Sequence, residues 1–210
     1  VERFGRVAFP RAGMGDQAVI RPVVTDPPSQ VTLVPEPRQV TWLPEVPHGL
    51  ISSPVSIAVS GASSGPAAAL LERLLKERFG LSNTRVPDAA AATIVLSDAL
   101  FSVPAALEDW QREEAYHLIC RDGAIRIQAQ GMRGALYGVQ TLRQVLTRRD
   151  GRIYAPAVDI TDWPGMRWRG WHLISPEKSE YVDEAMRVLD VLAALKMNWV
   201  SFQIDNRLRY

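Results

Sequence analysis

The chain has 210 residues, with 24 basic against 23 acidic side chains, 47% hydrophobic content and one cysteine. That length and composition suit a folded core in one domain or two, and one cysteine excludes both an internal disulfide and a cysteine-rich zinc site. A net charge of +1 gives no electrostatic footprint for nucleic acid or an anionic membrane, and no apolar run reaches the roughly 20 residues that span a bilayer.

Residues 1–34 carry no sustained period. Pro10, Gly13, Gly15, Pro22, Pro27 and Pro28 interrupt every short apolar run, so the segment reads as an extended leader. Because the chain begins at Val1 rather than Met and stops at Tyr210 inside an apparent strand, a processed piece or a fragment is expected. Val40–Leu43 and Val55–Val59 read as strands, the second running into a Ser/Gly cluster at 60–65. Pro66 opens a helix through Phe79. Leu70, Leu71, Leu74, Leu75 and Phe79 recur at helical spacing, and Gly80 sits where a C-cap belongs. Thr93–Leu96 reads as a short buried strand. Tyr116–Cys120 and Ala124–Ala129 flank Asp122-Gly123, whose glycine accepts the positive φ of a tight hairpin turn. A helix follows over Gly131–Arg148, with Leu136, Val139, Leu142 and Leu146 on one face. Gly134 and Gly138 form a bare stripe, most simply packed on the sheet. These elements make an α+β domain: a mixed or antiparallel sheet with helices on one face.

The last fifty residues change rhythm. Asp159–Pro164 reads as a proline-stopped linker, Arg169–Ile174 as a strand, Tyr181–Lys196 as a helix ended by Asn198, and Trp199–Ile204 as a second strand. Glu180, Asp183 and Glu184 load the first turn of that helix with the charge its dipole favours. A βαβ unit with short connections implies parallel strands and a right-handed crossover. Two strands and one helix cannot cover both faces of a parallel sheet, so the unit is expected to open a (β/α)8 TIM barrel.

Three runs carry a family resemblance. Gly134-Ala135-Leu136-Tyr137-Gly138-Val139-Gln140-Thr141-Leu142 resembles the last helix of the N-terminal domain in family 20 glycoside hydrolases, the β-N-acetylhexosaminidases. Ile160-Thr161-Asp162-Trp163-Pro164 with Met166-Arg167-Trp168-Arg169-Gly170 resembles the linker and first barrel strand, and Leu195-Lys196-Met197-Asn198 the end of the first barrel helix. The resemblance implies a leader at 1–34, a zincin-like accessory domain at 35–162 and the start of the catalytic barrel at 163–210. It also implies a carbohydrate substrate, no metal or organic cofactor, and hydrolysis of terminal N-acetylhexosamine. In that mechanism the substrate's acetamido oxygen attacks the anomeric carbon while a Glu acts as general acid beside an orienting Asp. The family's Asp-Glu pair follows the fourth barrel strand, beyond Tyr210, so no catalytic residue is expected in this chain, which should be inactive alone.

The sequence also departs from the family. Ile174-Ser175-Pro176-Glu177 stands where the family usually carries Asp-x-x-Arg, and Gln203, Asp205 and Asn206 stand where a His with Asp or a Glu-Asp pair is usual. The departures keep two alternatives open: a glycosidase of other sugar specificity, O-GlcNAcase-like or α-glucuronidase-like, and a non-catalytic carbohydrate-binding or structural module.

Glu177 and Asp205-Asn206 directly follow the two barrel strands, where barrel sites gather polar groups; they are the candidate substrate-binding residues. The acidic pairs Glu108-Asp109, Glu113-Glu114 and Asp183-Glu184 read as solvated surface, the default for exposed charge. Histidines 48, 117 and 172 have no metal-like spacing. His117 reads as a hydrogen-bonded strand residue and His172 as structural packing within the first barrel strand. Cys120 reads as a small buried hydrophobe. Trp163 and Trp168 are expected at the domain interface, Trp171 and Trp199 against barrel helices, and Arg169 in a structural salt bridge.

Overall fold

The computed structural model describes residues 23–24, 31–46, 48–175 and 181–204. In chain order the strands and helices are β1 (Val23–Val24), β2 (Gln39–Trp42), β3 (Gly49–Ile51), β4 (Val55–Ser60), α1 (Gly65–Leu74), β5 (Asn83–Arg85), β6 (Ile94–Ser97), α2 (Asp109–Glu114), β7 (Tyr116–Arg121), β8 (Ala124–Ala129), α3 (Met132–Val145), β9 (Thr147–Arg149), β10 (Arg152–Ala155), β11 (Val158–Asp162), β12 (Gly170–Ser175), α4 (Tyr181–Ala194) and β13 (Trp199–Ile204). None of these helices is long and apolar enough to cross a membrane.

Alternation builds the main sheet. Along β7, β8 and β11 every second side chain is buried, the period that puts one face on a core and the other toward solvent. Eight strands lie in the order β1-β2-β11-β7-β8-β6-β4-β5. The run β2-β11-β7-β8 is antiparallel and the run β8-β6-β4-β5 parallel. The sheet is therefore mixed. The β7–β8 turn forms as its dipeptide predicts: Asp122 and Gly123 both have positive φ, 51° and 76°, the pattern of a type I′ hairpin. A separate antiparallel sheet, β3-β10-β9, sits beside it.

Helices α1 and α3 cover the buried face, and Ile57, Leu71, Leu75, Ile94, Leu96, Leu118, Ile127, Leu142 and Ile160 are enclosed between the layers. The two bare positions on α3 explain how close it lies. A β-carbon at Gly138 would come within 2.6 Å of Ile127 Cγ2, and one at Gly134 would run into the Ala115 carbonyl oxygen. The stripe is a seat for the sheet.

Several expectations need correction. The stretch read as a linker, 159–164, holds β11, an interior strand between β2 and β7; the alternation of Val158, Ile160 and Asp162 inward was masked by polar residues at 159 and 161. The helix expected to reach Arg148 stops at Val145, and Thr147–Arg149 pair with β10. The α1 helix loosens into a wider turn over Leu75–Phe79 before Gly80, at φ 70°, closes it. At the N-terminal boundary, Val31 is 4% exposed in the core, and Val34 exchanges two hydrogen bonds with the Gln144 amide, at 2.7 and 2.9 Å. The rest of the segment read as a leader lies outside the described residues, apart from β1 and residues 32–33.

Candidate functional site

The βαβ unit forms as its sequence predicts: β12 and β13 pair in parallel over six residues, Gly170 opposite Trp199 through Ser175 opposite Ile204. Its helix ends by backbone chemistry. Met197 donates to the Leu192 carbonyl at 2.9 Å and Lys196 to Ala193 at 3.0 Å, a Schellman closure that needs a left-handed residue. Lys196 takes that place at φ 58°. A non-glycine residue there costs on the order of 1 kcal/mol, so something must hold it.

Its side chain does. Lys196 is 5% exposed, and its ammonium donates to Asp162 Oδ2 and to the Tyr116 hydroxyl, both at 2.8 Å. The Tyr116 hydroxyl also contacts Thr141 Oγ1 at 2.6 Å, and Asp162 Oδ1 accepts from the Arg38 backbone at 3.1 Å. Burial, reinforced by the Asp162 charge, pushes the Tyr116 phenol well above its usual pKa, so it stays a proton donor. A second pair lies nearby. Arg169 donates to Glu114 Oε2 at 2.6 Å, to the Tyr137 hydroxyl at 3.1 Å and to the Lys196 carbonyl at 3.0 Å. Asn198 completes the lock: its Oδ1 accepts from Arg169 N at 2.9 Å, and its Nδ2 donates to Glu114 Oε1 at 3.3 Å.

Two buried ion pairs therefore fasten the first residues of β12 and β13 to α2, β7, α3 and β11. Parallel strands then carry their C-terminal ends six residues onward, roughly 20 Å at 3.3 Å per residue, away from that junction. The candidate residues Glu177, Asp205 and Asn206 follow those ends and lie outside the described residues. The nearest described polar pair is His172 Nε2 with Gln203 Oε1 at 3.1 Å. His172 is exposed there rather than packed, and the pair presents hydrogen-bonding groups on one face of the two strands.

The junction corrects more of the sequence reading. Glu114 is 2% exposed and ion-paired, not solvated surface; a charge in a short helix gives no sequence sign of an arginine 55 residues away. Glu113 beside it is exposed, as are Asp183 and Glu184. Trp163 is buried, but Trp168 is 70% exposed, and Trp171 and Trp199 stand about half exposed instead of packed under helices. Arg169 makes its expected salt bridge. His117 bonds Gln128 and Asp159. Cys120 is buried, and burial pushes its thiol up to about 12, which leaves it protonated and inert. Among the described residues no three potential metal ligands come together.

A mixed sheet backed by helices on one face is a fold similar to that of solved β-N-acetylhexosaminidases. The solved N-acetyl-β-hexosaminidase of Streptomyces plicatus superposes with a TM-score of 0.66 at 24% identity, over 84% of this chain and 36% of that one. An exo-β-N-acetylglucosaminidase of Vibrio harveyi gives 0.66 at 21% identity, over 85% and 27%. Residues 30–163 match glycosyl hydrolase family 20, domain 2, and the chain belongs to that family. Among curated proteins it is 26% identical over 168 residues to β-hexosaminidase B of Pseudoalteromonas piscicida, covering 80% of this chain and 20% of that protein. It is 25% identical over 170 residues to a β-N-acetylhexosaminidase of Cellulomonas fimi, covering 80% and 33%. The chain spans between a fifth and a third of the length of these relatives.

Proposed function

We propose that the chain is the accessory domain and opening βαβ unit of a family 20 hydrolase whose whole protein removes terminal N-acetylhexosamine from glycans. Residues 1–34 lead in, 35–162 form the accessory domain, and 163–210 begin a (β/α)8 barrel. One observation carries the reading: a match to family 20 domain 2 runs straight into a parallel βαβ unit held by the N-terminal ends of its strands. The opposite ends, where barrel enzymes keep their chemistry, are thereby left for substrate.

On this reading the acetamido oxygen of the substrate attacks the anomeric carbon, and an Asp-Glu pair outside residues 1–210 orients it and protonates the leaving oxygen. Glu177, Asp205 and Asn206 border the sugar, together with His172 and Gln203. A carboxylate at Glu177, where the family usually has an arginine, grips sugar hydroxyls as an acceptor and changes which of them are read. The relatives named above are β-hexosaminidases, which disfavours an O-GlcNAcase-like or α-glucuronidase-like activity.

The test uses the complete protein and nitrophenyl N-acetyl-β-glucosaminide. Release of nitrophenol is expected, with Asp205→Asn and Glu177→Gln raising KM several-fold. Hydrolysis of a uronide alone, or glycan binding by residues 35–162 with no hydrolysis by the whole protein, would overturn it.

A further inference from the structure

A cavity of about 660 Å³ lies between α1, α3 and α4, on the far side of α3 from the sheet. Its wall includes Arg73 from α1, Glu77 and Arg78 from the wider turn that follows it, Gln140 and Arg143 from α3, and Asp190 from α4. Two features of this wall are unsatisfied. Arg73, exposed, and Arg143, half-buried, make no hydrogen bond or ion pair with the described residues. Gln140 is 5% exposed, and its side-chain carbonyl oxygen is buried with no hydrogen-bond partner. A buried acceptor left unpaired costs about 1–3 kcal/mol.

The charges are also close enough to act on one another. The Arg143 guanidinium is held below its ordinary pKa, first by burial, then by the positive charges of Arg78 and Arg73, with Asp190 acting in the opposite sense. Arginines in excess over the two carboxylates Glu77 and Asp190 around a concavity, beside an idle acceptor, are the converse image of a ligand that is anionic and also carries a hydroxyl.

We propose that this cavity is a phosphate-binding site. Guanidinium groups meet a tetrahedral oxyanion with paired, charge-assisted N–H donors. With a turn of its amide toward the cavity, Gln140 Oε1 accepts from a hydroxyl, either that of a protonated phosphate or that of the alcohol part of a phosphate ester. The site is separate from the candidate sugar-binding residues, because it lies between α1, α3 and α4 and not at the C-terminal ends of β12 and β13.

Calorimetric titration of the full chain with inorganic phosphate tests the assignment at low ionic strength, where exposed charges are least screened. Saturable binding is expected, weakened about tenfold by Arg143→Gln, the change that losing one charge-assisted hydrogen bond produces. Arg73→Gln, exposed on α1, is expected to weaken it several-fold and stands in if the half-buried Arg143 variant fails to fold. Arg187→Gln, on α4 but outside the cavity wall, should leave the affinity unchanged. Absence of saturation up to about 10 mM phosphate, an affinity weaker than roughly 3 kcal/mol, would overturn the proposal. So would equal affinity in the parent and the Arg73→Gln variant.

Discussion

Tryptophan separates two regions of this molecule. Trp42 on β2 and Trp163 just after β11 are almost wholly enclosed, at 5% and 6% exposed, whereas Trp171 on β12 and Trp199 on β13 stand at 54% and 49%. The residue type is the same, and each lies on a strand or directly beside one. What differs is the number of layers. The eight-stranded sheet has α1 and α3 over one face and neighbours along both edges of its middle strands. The β12–β13 pair has one helix and two strands, too little to close over its own side chains. Burial follows from how many layers converge, and the apolar content of a strand only says how many it is suited to meet. The βαβ unit is instead fastened at one end, by charge.

That contrast makes the Lys196–Asp162 pair the first place to strike. Lys196→Met keeps the left-handed backbone position but strips Asp162 of its cation in the interior, and breaking a buried pair from one side costs about 3–5 kcal/mol. Urea unfolding of the full chain measures it. Adding Asp162→Leu to the same variant should recover much of the loss, because two apolar residues leave no stranded charge. A cost under about 1 kcal/mol for the single change would mean the junction is effectively solvated, and the contrast between charge-fastened and layer-buried regions would collapse.

The sequence was informative where one residue decides a conformation. Asp122-Gly123 specified its hairpin, Gly80 its helix end, and the Gly134/Gly138 stripe the seating of α3, because in each case the backbone or the space admits little else. It was uninformative where partners are distant. Strand β11 looked like a linker because Asp159 and Thr161 occupy its outward positions and a proline follows; only pairing with β2 and β7 makes Val158, Ile160 and Asp162 an inward row. Glu114 looked like an ordinary surface carboxylate and Asp162 like part of a linker, because their cations lie 55 and 34 residues away. The candidate sugar contacts came from barrel logic and family resemblance alone, since a charged residue after a strand looks the same in a site and on a surface.

A matched pair of truncations gives the next largest effect and sharpens the contrast directly. Leu118 on β7 is fully enclosed and Phe202 on β13 is 51% exposed. Leu118→Ala is expected to destabilise the chain by about 2–5 kcal/mol, and Phe202→Ala, though it removes the larger side chain, by under about 1 kcal/mol. Comparable costs for the two would show that β13 is covered in solution. Gly138→Ala tests the opposite error, overfilling. Its new methyl would lie within 2.6 Å of Ile127 Cγ2, and about 1–3 kcal/mol is expected from the forced shift of α3.

The smallest expected effect concerns charge on the main sheet itself, and it is read through pH. His117 on β7 places Nε2 at 2.8 Å from Asp159 Oδ1 and Nδ1 at 3.1 Å from Gln128 Oε1, with the Phe101 ring 5.9 Å away. The hydrogen bond to Asp159 raises its pKa above 6.5, partly against the cost of burial. The folded protein therefore holds this proton more tightly than the unfolded chain. The resulting stability is fully present below about pH 6.5 and is lost as pH rises through the folded-state value. Two facts keep it small: Asp159 is nearly half exposed, and the Gln128 amide can rotate to donate to a neutral ring, so deprotonation strands no buried group. His117→Gln should accordingly cost up to about 1 kcal/mol near pH 6 and less near pH 9, whereas the Lys196→Met penalty, which involves no imidazole, should stay level between those values. If the two penalties changed with pH in parallel, the ionic junction would be coupled to the sheet's own titration, and the two regions would have to be treated as one electrostatic unit.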